Sequence, residues 1–394
     1  MFHREKVIAA LEAKAERFAG YETVRSNALT AYESALAELM QLSSEAVLAR
    51  LAAIPWPGAR PTAEHDAYPE LVVPFARRWA HHAEARSWAL GVLAGVPTIA
   101  VDGSQITPTT EISFPVGVVQ IGWFVNPHTV DADYVKDIDI EVLPPDELGG
   151  EEAAQGYPDW RVNLRRFVAE CECLASWMQT YAAADPKPVC FFDGSLVLSF
   201  IQQMRPDRQL QYVQAITELL AISETTRVPL VGYVDTSLAS DLLTLLNALT
   251  GSRGDRSLSD GALIGPRLGW GDRTTAWTCA RDDQVEPYGA GEGGKYYEEV
   301  VFVYLKTTAD GLPARLDLPR WIFEAGELDR VVDVVRAECV VGNGYPYAVE
   351  TADALAVITQ QDRERFFRAL QLFVARRNLP LRFRRKAVSK RGRR

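Results

Sequence analysis

The sequence predicts an α/β protein, a sheet with helices packed on it. Two observations carry that reading. Short runs rich in β-branched and aromatic residues alternate with longer segments of helical period. Two of those apolar runs, TIAVDGSQI (98–106) and VCFFDGSLV (189–197), end in the same way, on Asp-Gly-Ser. Buried strands do not ordinarily stop on an acid, so the repeated ending asks for a chemical explanation as well as a structural one.

Along the chain, residues 1–53 read as two amphipathic helices, with Val7, Ile8, Leu11 and Ala15 and then Leu36, Leu39, Leu42, Val47 and Leu51 at helical spacing. Their apolar faces suit a dimer contact, a partner or their own domain. Prolines 55, 57, 61, 69 and 74 break any regular element over 54–74. A helix over 75–94 leads into the strand at 98–102. FPVGVVQIGWFV (114–125) is a strand, and DIDIEV (137–142) alternates as a half-exposed one. NLRRFVAECECLASWMQ (163–179) puts Leu164, Phe167, Val168, Cys171, Leu174, Ala175 and Met178 on one helical face. After the second Asp-Gly-Ser come a helix near 207–223, a strand at 227–234 and a helix near 237–249. Residues 250–295 have little periodicity and read as a mobile insertion. Strands at 299–306 and 313–318 and helices at 326–340 and 348–376 complete the pattern. The implied organisation is a helical region over 1–94, a core over 95–380 and a basic tail over 381–394.

The composition, 47% hydrophobic and 24% charged, is that of a globular chain, and no apolar run is long enough to span a bilayer. Five cysteines without a C-x-x-C pair suggest reduced thiols in a cytoplasm. Net charge is −10, yet LRFRRKAVSKRGRR (381–394) holds only basic charges. An acidic body with a basic tail suggests one element that faces a polyanion. Arg273, Arg384 and Arg385 are the candidate phosphate contacts, with Arg253, Arg256, Arg267, Arg281, Trp270 and Trp277 suiting a single-strand channel. GAGEGGKY (289–296) satisfies G-x-x-x-x-G-K but follows no strand and continues with Tyr296, so it reads as a loop. The five histidines form no constellation, and Ser104 and Ser195 shape turns.

Asp102 and Asp193 stand at the carboxyl ends of their strands in this reading, where α/β sheets collect functional groups. Two converging carboxylates repel, and hard Mg²⁺ or Mn²⁺ relieves that repulsion. Two such ions about 3.5–4 Å apart suit phosphodiester hydrolysis. Glu170 and Glu172 flank the apolar face of their helix, and either could supply a third acid. Asp235 is a further candidate, or the cap of the next helix. Asp353 on a late helix could reach back to the sheet.

At this point the chain resembles the NurA nucleases. The resemblance lies in Asp-Gly-Ser-Gln after a first strand, a helix with Arg-Arg and Glu, and Phe-Phe-Asp-Gly-Ser-Leu. It extends to GYVDTSLASDLL (232–243), LGWGDRT (268–274), VYLKT (303–307), ARLDLPRWI (314–322) and GYPYAVETADALAVI (344–358), and covers roughly 95–365. It implies an RNase H-like core of mixed sheet flanked by helices, and Mn²⁺-dependent (or Mg²⁺-dependent) exo- and endonuclease activity on single- and double-stranded DNA ends. It also implies a homodimer and a HerA-type hexameric ATPase as partner, in DNA end processing or anti-phage defence. By position, Asp102 and Asp193 match the family's strand-end ligands and Glu170 its helix glutamate, with Glu172 still open. The family's late ligand is commonly a histidine; here Asp353 takes that position. The alternative is a non-catalytic DNA-binding or adaptor subunit of a HerA-type complex.

Overall fold

A computed structural model describes residues 3–109, 112–149, 159–252, 258–281 and 296–379. The strands, in chain order, are β1 (Gly58–Pro61), β2 (Val72–Val73), β3 (Thr98–Ile106), β4 (Gly117–Asn126), β5 (Val135–Leu143), β6 (Val189–Asp193), β7 (Leu230–Val234), β8 (Arg273–Thr274), β9 (Trp277–Ala280), β10 (Val300–Leu305) and β11 (Ala314–Pro319). The chain divides into two compact units. The first is Met1–Arg77, Val234–Gln284 and Tyr297–Leu316; the second is Arg78–Tyr233, Val285–Tyr296 and Asp317–Arg394.

In the second unit β3, β4 and β5 form an antiparallel meander, with Thr98 opposite Asn126 and Gly117 opposite Leu143. β6 runs parallel to β3, and β7 parallel to β6. The order β7–β6–β3–β4–β5 is that of an RNase H-like sheet, so the expected α/β core of mixed sheet is present. The helix Asp159–Thr180, called the site helix below, packs on β3 and β4 and against the helix Pro206–Thr226. The helix Tyr347–Ala356, the late helix, packs across β3 and β4. The single helix expected over 348–376 is two. Thr359 and Asp362 form a capping box that starts a new helix, Gln360–Arg376. β5 is the sheet edge and is more open than expected, with Val135 through Ile140 exposed on both faces.

In the first unit, 1–53 folds as three helices, Arg4–Glu12, Ala15–Leu39 and Ser44–Leu51. Only Tyr32, Leu36 and Leu39 of the long helix are buried. Ile8, Leu11, Phe18, Tyr21 and Val24 lie exposed. The stretch read as an insertion contains β8, β9 and the helix Asp260–Ile264. β9 pairs antiparallel with β1 and β10, and β8 with β2 and β10. Among the described residues no helix is long and apolar enough to cross a membrane.

A buried ionic network orders this unit. Asp241 is 2% exposed and accepts from both Arg281, through Nε and, at 2.6 Å, Nη2, and Nη1 of Arg315. Arg315 also lies over the Phe302 ring at 4.0 Å. Asp260 caps the helix Asp241–Thr250, accepting the Leu242 and Leu243 amides at 3.0 Å each and the Tyr304 hydroxyl at 2.9 Å. Burial alone would raise the Asp241 carboxyl, but the two guanidiniums outweigh it and hold the group down at about 2. Asp260, buried without a cation of its own and beside Asp241, is pushed up to about 6.

Removing one member of a buried ion group strands the others. Asp241→Ala is expected to lower the unfolding free energy by about 3–5 kcal/mol, read by urea denaturation at pH 7. A loss below about 1 kcal/mol would mean that water reaches the two arginines.

Candidate active site

The corner at Asp102 is not a strand end. β3 pairs with β6 only as far as Val101 opposite Phe192, while its antiparallel pairing with β4 continues to Ile106 opposite Val118. Asp102 therefore sits where β3 outruns β6, and Asp193 is the last residue of β6. The expectation of two strand-end acids is corrected to one strand end and one mid-strand position. Both still lie at the same level of the sheet, because β3 and β6 are adjacent and parallel.

Glycines let two helices close on that level from opposite faces. A Cβ on Gly103 would meet Glu170 Oε1 at 2.6 Å and Arg166 Cγ at 3.0 Å, so its absence admits the site helix. A Cβ on Gly122, directly opposite Asp102 on β4, would meet the backbone of Ala356 at 2.8 Å, so its absence admits the late helix. The two serines then lock their corners. Ser104 Oγ donates to the Ala356 carbonyl, which Gln120 Nε2 also reaches at 3.0 Å. Ser195 Oγ donates to Asp317 Oδ2 at 2.5 Å, and the Leu196 amide donates to the same oxygen at 3.1 Å. Gly194, at φ +138°, makes the turn between Asp193 and Ser195.

Four carboxylates act on one another here. Burial pushes Asp102 up to about 6, helped by the charges of Asp193 and Asp353. Burial pushes Glu170 up to about 8, with Asp102 and Asp193 adding to it against the pull of Arg166. Asp193 has an exposed surface, yet crowding desolvates its carboxylate and raises it, with Asp353 contributing. Glu170 is 5% exposed, and Arg166 Nη1 donates to its Oε1 at 2.5 Å and to the Gly103 carbonyl at 3.1 Å. Glu172 points the other way, out to Arg165 at 2.7 Å, so Glu170 is the glutamate brought to the aspartates. Asp353 is exposed on the late helix, its charge felt at Asp102 and Asp193. Asp235 is exposed and accepts from its neighbour Thr236; Ser240, not Asp235, occupies the N-cap of the following helix.

Tyr345 was not singled out from the sequence. Its hydroxyl donates to Asp193 Oδ1 at 3.1 Å, and its ring stands edge-on to Tyr233 at 5.1 Å. The turn that presents it, Asn343 at φ +58° and Gly344 at φ +108°, is visible in the sequence as Gly-Asn-Gly before Tyr-Pro. Glu338, also missed, is buried and accepts from Thr98 Oγ1 at 2.8 Å and the Ala348 amide at 2.9 Å. It ties the start of β3 to the start of the late helix. Nothing local separates it from Asp329 and Asp333 on the same helix.

Arg273 is a correction. It is 1% exposed and both its terminal nitrogens reach Glu64 at 2.7 Å, so no phosphate can approach it. A buried bidentate ion pair, not a strand contact, explains this arginine. Trp277 is 1% exposed and also belongs to the core. Arg384 and Arg385, Arg253 and Arg256, and residues 289–295 lie outside the described residues.

Carboxylate oxygens such as those of Asp102, Glu170, Asp193 and Asp353 are the donors that hard divalent cations prefer. As they stand, no three His, Cys, Asp or Glu among the described residues are grouped as a metal site.

The comparisons agree with this architecture. The model of the NurA domain matches residues 96–358, and the chain belongs to the NurA family. The fold is similar to that of the NurA nuclease from Sulfolobus solfataricus, with a TM-score of 0.50 and 12% identity over 95% of this chain and 98% of that one. The catalytic domain of human Endonuclease V aligns with a TM-score of 0.32 and 14% identity, over 74% of this chain and 95% of that one, too distant to add to the argument. No curated protein matches the sequence.

Folded-state values above the ordinary carboxyl range mean that the folded protein holds protons the unfolded chain has already released. The stability contributed by Asp102 and Glu170 is therefore full below about pH 4 and is lost as pH rises through about 6 and then about 8. The expected result is a melting temperature, in EDTA, that falls steadily from pH 5 to pH 8.5. Glu170→Gln should flatten the upper half of that curve in a differential scanning measurement.

Proposed function

We propose that this chain is a metal-dependent deoxyribonuclease that hydrolyses phosphodiesters at DNA ends. The observation that supports the reading is the side-by-side placement of Asp102 and Asp193 on adjacent parallel strands, electrostatically coupled to Glu170 and Asp353 on two helices, with Arg166 answering their charge only in part. A protein retains so costly an arrangement where a cation is to be held. The family supports it, and the NurA protein from Sulfolobus solfataricus is a nuclease by name.

Asp102, Glu170, Asp193 and Asp353 would hold the cations, Mn²⁺ or Mg²⁺. Bound divalent ions supply charge for the phosphate and acidify water for attack, as in two-metal hydrolysis. The chain's own groups do the rest. Ser104 and Ser195 fix the two corners. The Tyr345 hydroxyl holds one oxygen of Asp193 and so would orient that carboxylate as a ligand. Glu338 keeps the late helix, and with it Asp353, in register with β3.

The same reading extends to a homodimer in the cytoplasm that works with a HerA-type hexameric ATPase, in DNA end processing or anti-phage defence. The exposed apolar residues of the first two helices suit either partner. A second reading, a non-catalytic DNA-binding or adaptor subunit of such a complex, is favoured by one observation. The late position holds an exposed aspartate where the resemblance to the NurA nucleases implies a histidine.

The deciding experiment is cleavage of linear single- and double-stranded DNA with Mn²⁺, Mg²⁺ or EDTA. Wild type is expected to cut only with metal, and Asp102→Ala and Asp193→Ala to lose at least about a hundredfold while remaining folded. DNA binding without cleavage, with and without the ATPase, would leave the adaptor. The basic tail is proposed to contact phosphates. Deleting 381–394 should make the logarithm of DNA affinity fall less steeply with the logarithm of salt concentration, by about 0.9 for each phosphate the tail had neutralised. An unchanged slope would remove the tail from the interface.

A further inference from the structure

Arg166 is the cation seated directly against Glu170, with Nη1 donating to Glu170 Oε1 at 2.5 Å. Its placement is built, not incidental. It stands four residues before Glu170 on the site helix, the spacing at which helical side chains meet. Nη1 spans Glu170 Oε1 and the Gly103 carbonyl, and the missing side chain at Gly103 makes room for its stem. Nε is buried without a hydrogen-bond partner. One guanidinium among four carboxylates leaves the group strongly anionic. Yet its charge lies against Glu170, the acid most deeply buried of the four.

We propose that Arg166 is the resident counter-cation of this site, bound to Glu170 in the metal-free protein and displaced from it when a divalent cation enters. The proposal rests on the metal-dependent reading above. A cation that takes Glu170 as a ligand must break a charge-assisted bond of 2.5 Å and then share the site with a like charge. Arg166 therefore weakens metal binding while it holds Glu170 in place. A purely structural arginine acts with the opposite sign: its loss would misplace Glu170 and weaken metal binding.

The test titrates the full chain, stripped of metal, with Mn²⁺ alone, following free Mn²⁺ by electron paramagnetic resonance. Arg166→Met is expected to bind Mn²⁺ on the order of tenfold more tightly than wild type, with Arg166→Lys between the two. In EDTA at pH 7.5 the melting temperatures should fall in the reverse order, wild type highest. Affinity in Arg166→Met equal to or weaker than wild type overturns the proposal. If that variant does not fold without metal, Arg166→Lys decides: its lysine cannot span both acceptors, so Mn²⁺ should bind a few-fold more tightly. An affinity at or below wild type again overturns it. Asp102→Asn and Asp193→Asn separate the two failures. If they abolish wild-type Mn²⁺ binding while Arg166→Met changes nothing, the metal reading stands and the counter-cation falls. If wild type binds no Mn²⁺, both fall.

Discussion

Everything at the candidate site depends on where β3 stops having a neighbour on one side. Up to Val101 it is paired with β6 and β4; from Asp102 onward it is paired with β4 alone. That single change of pairing leaves Asp102 unpaired on the β6 side, beside the last residue of β6. The two carboxylates then repel, and partial desolvation strengthens the repulsion. The helices complete the site because the residues under them are small. Gly103 yields to the site helix on one face, and Gly122 yields to the late helix on the other.

Asp241 and the acids of the candidate site handle buried charge in opposite ways. Asp241 is matched by Arg281 and Arg315, and its carboxyl stays ionised far below the usual range. Asp102 and Glu170 are displaced upward, with Arg166 answering several acids at once. Both are buried and both are polar, so burial alone does not separate structure from function. The balance of charge does. A matched network stabilises a fold, whereas acids matched only in part cost it stability.

Much of this was legible in the chain. The repeated Asp-Gly-Ser located both aspartates, and alternating strands and helices gave the class of fold. Glu170 and Glu172 could not be separated by helical spacing, since each flanks the apolar face. Only the approach to Gly103 and the pull of Arg165 on Glu172 distinguish them. The mid-strand position of Asp102 was hidden because Asp-Gly reads locally as a turn, while pairing with β4 overrides that preference. Arg273 misled for a related reason. An arginine beside Gly, Asp and Trp looks like a surface contact until Glu64, 209 positions away, is found opposite it. Partners so far apart in sequence leave no local trace.

The late helix shows how one acid acts at a distance. Asp353 places an acid where its charge is felt at Asp102 and Asp193. That charge raises both neighbours and deepens the deficit that a single guanidinium has to answer. An exposed position softens the effect, because water screens Asp353 better than it screens Glu170. The late acid therefore adds to the charge at Asp102 and Asp193 from a solvated position, with Glu338 holding its helix at the other end.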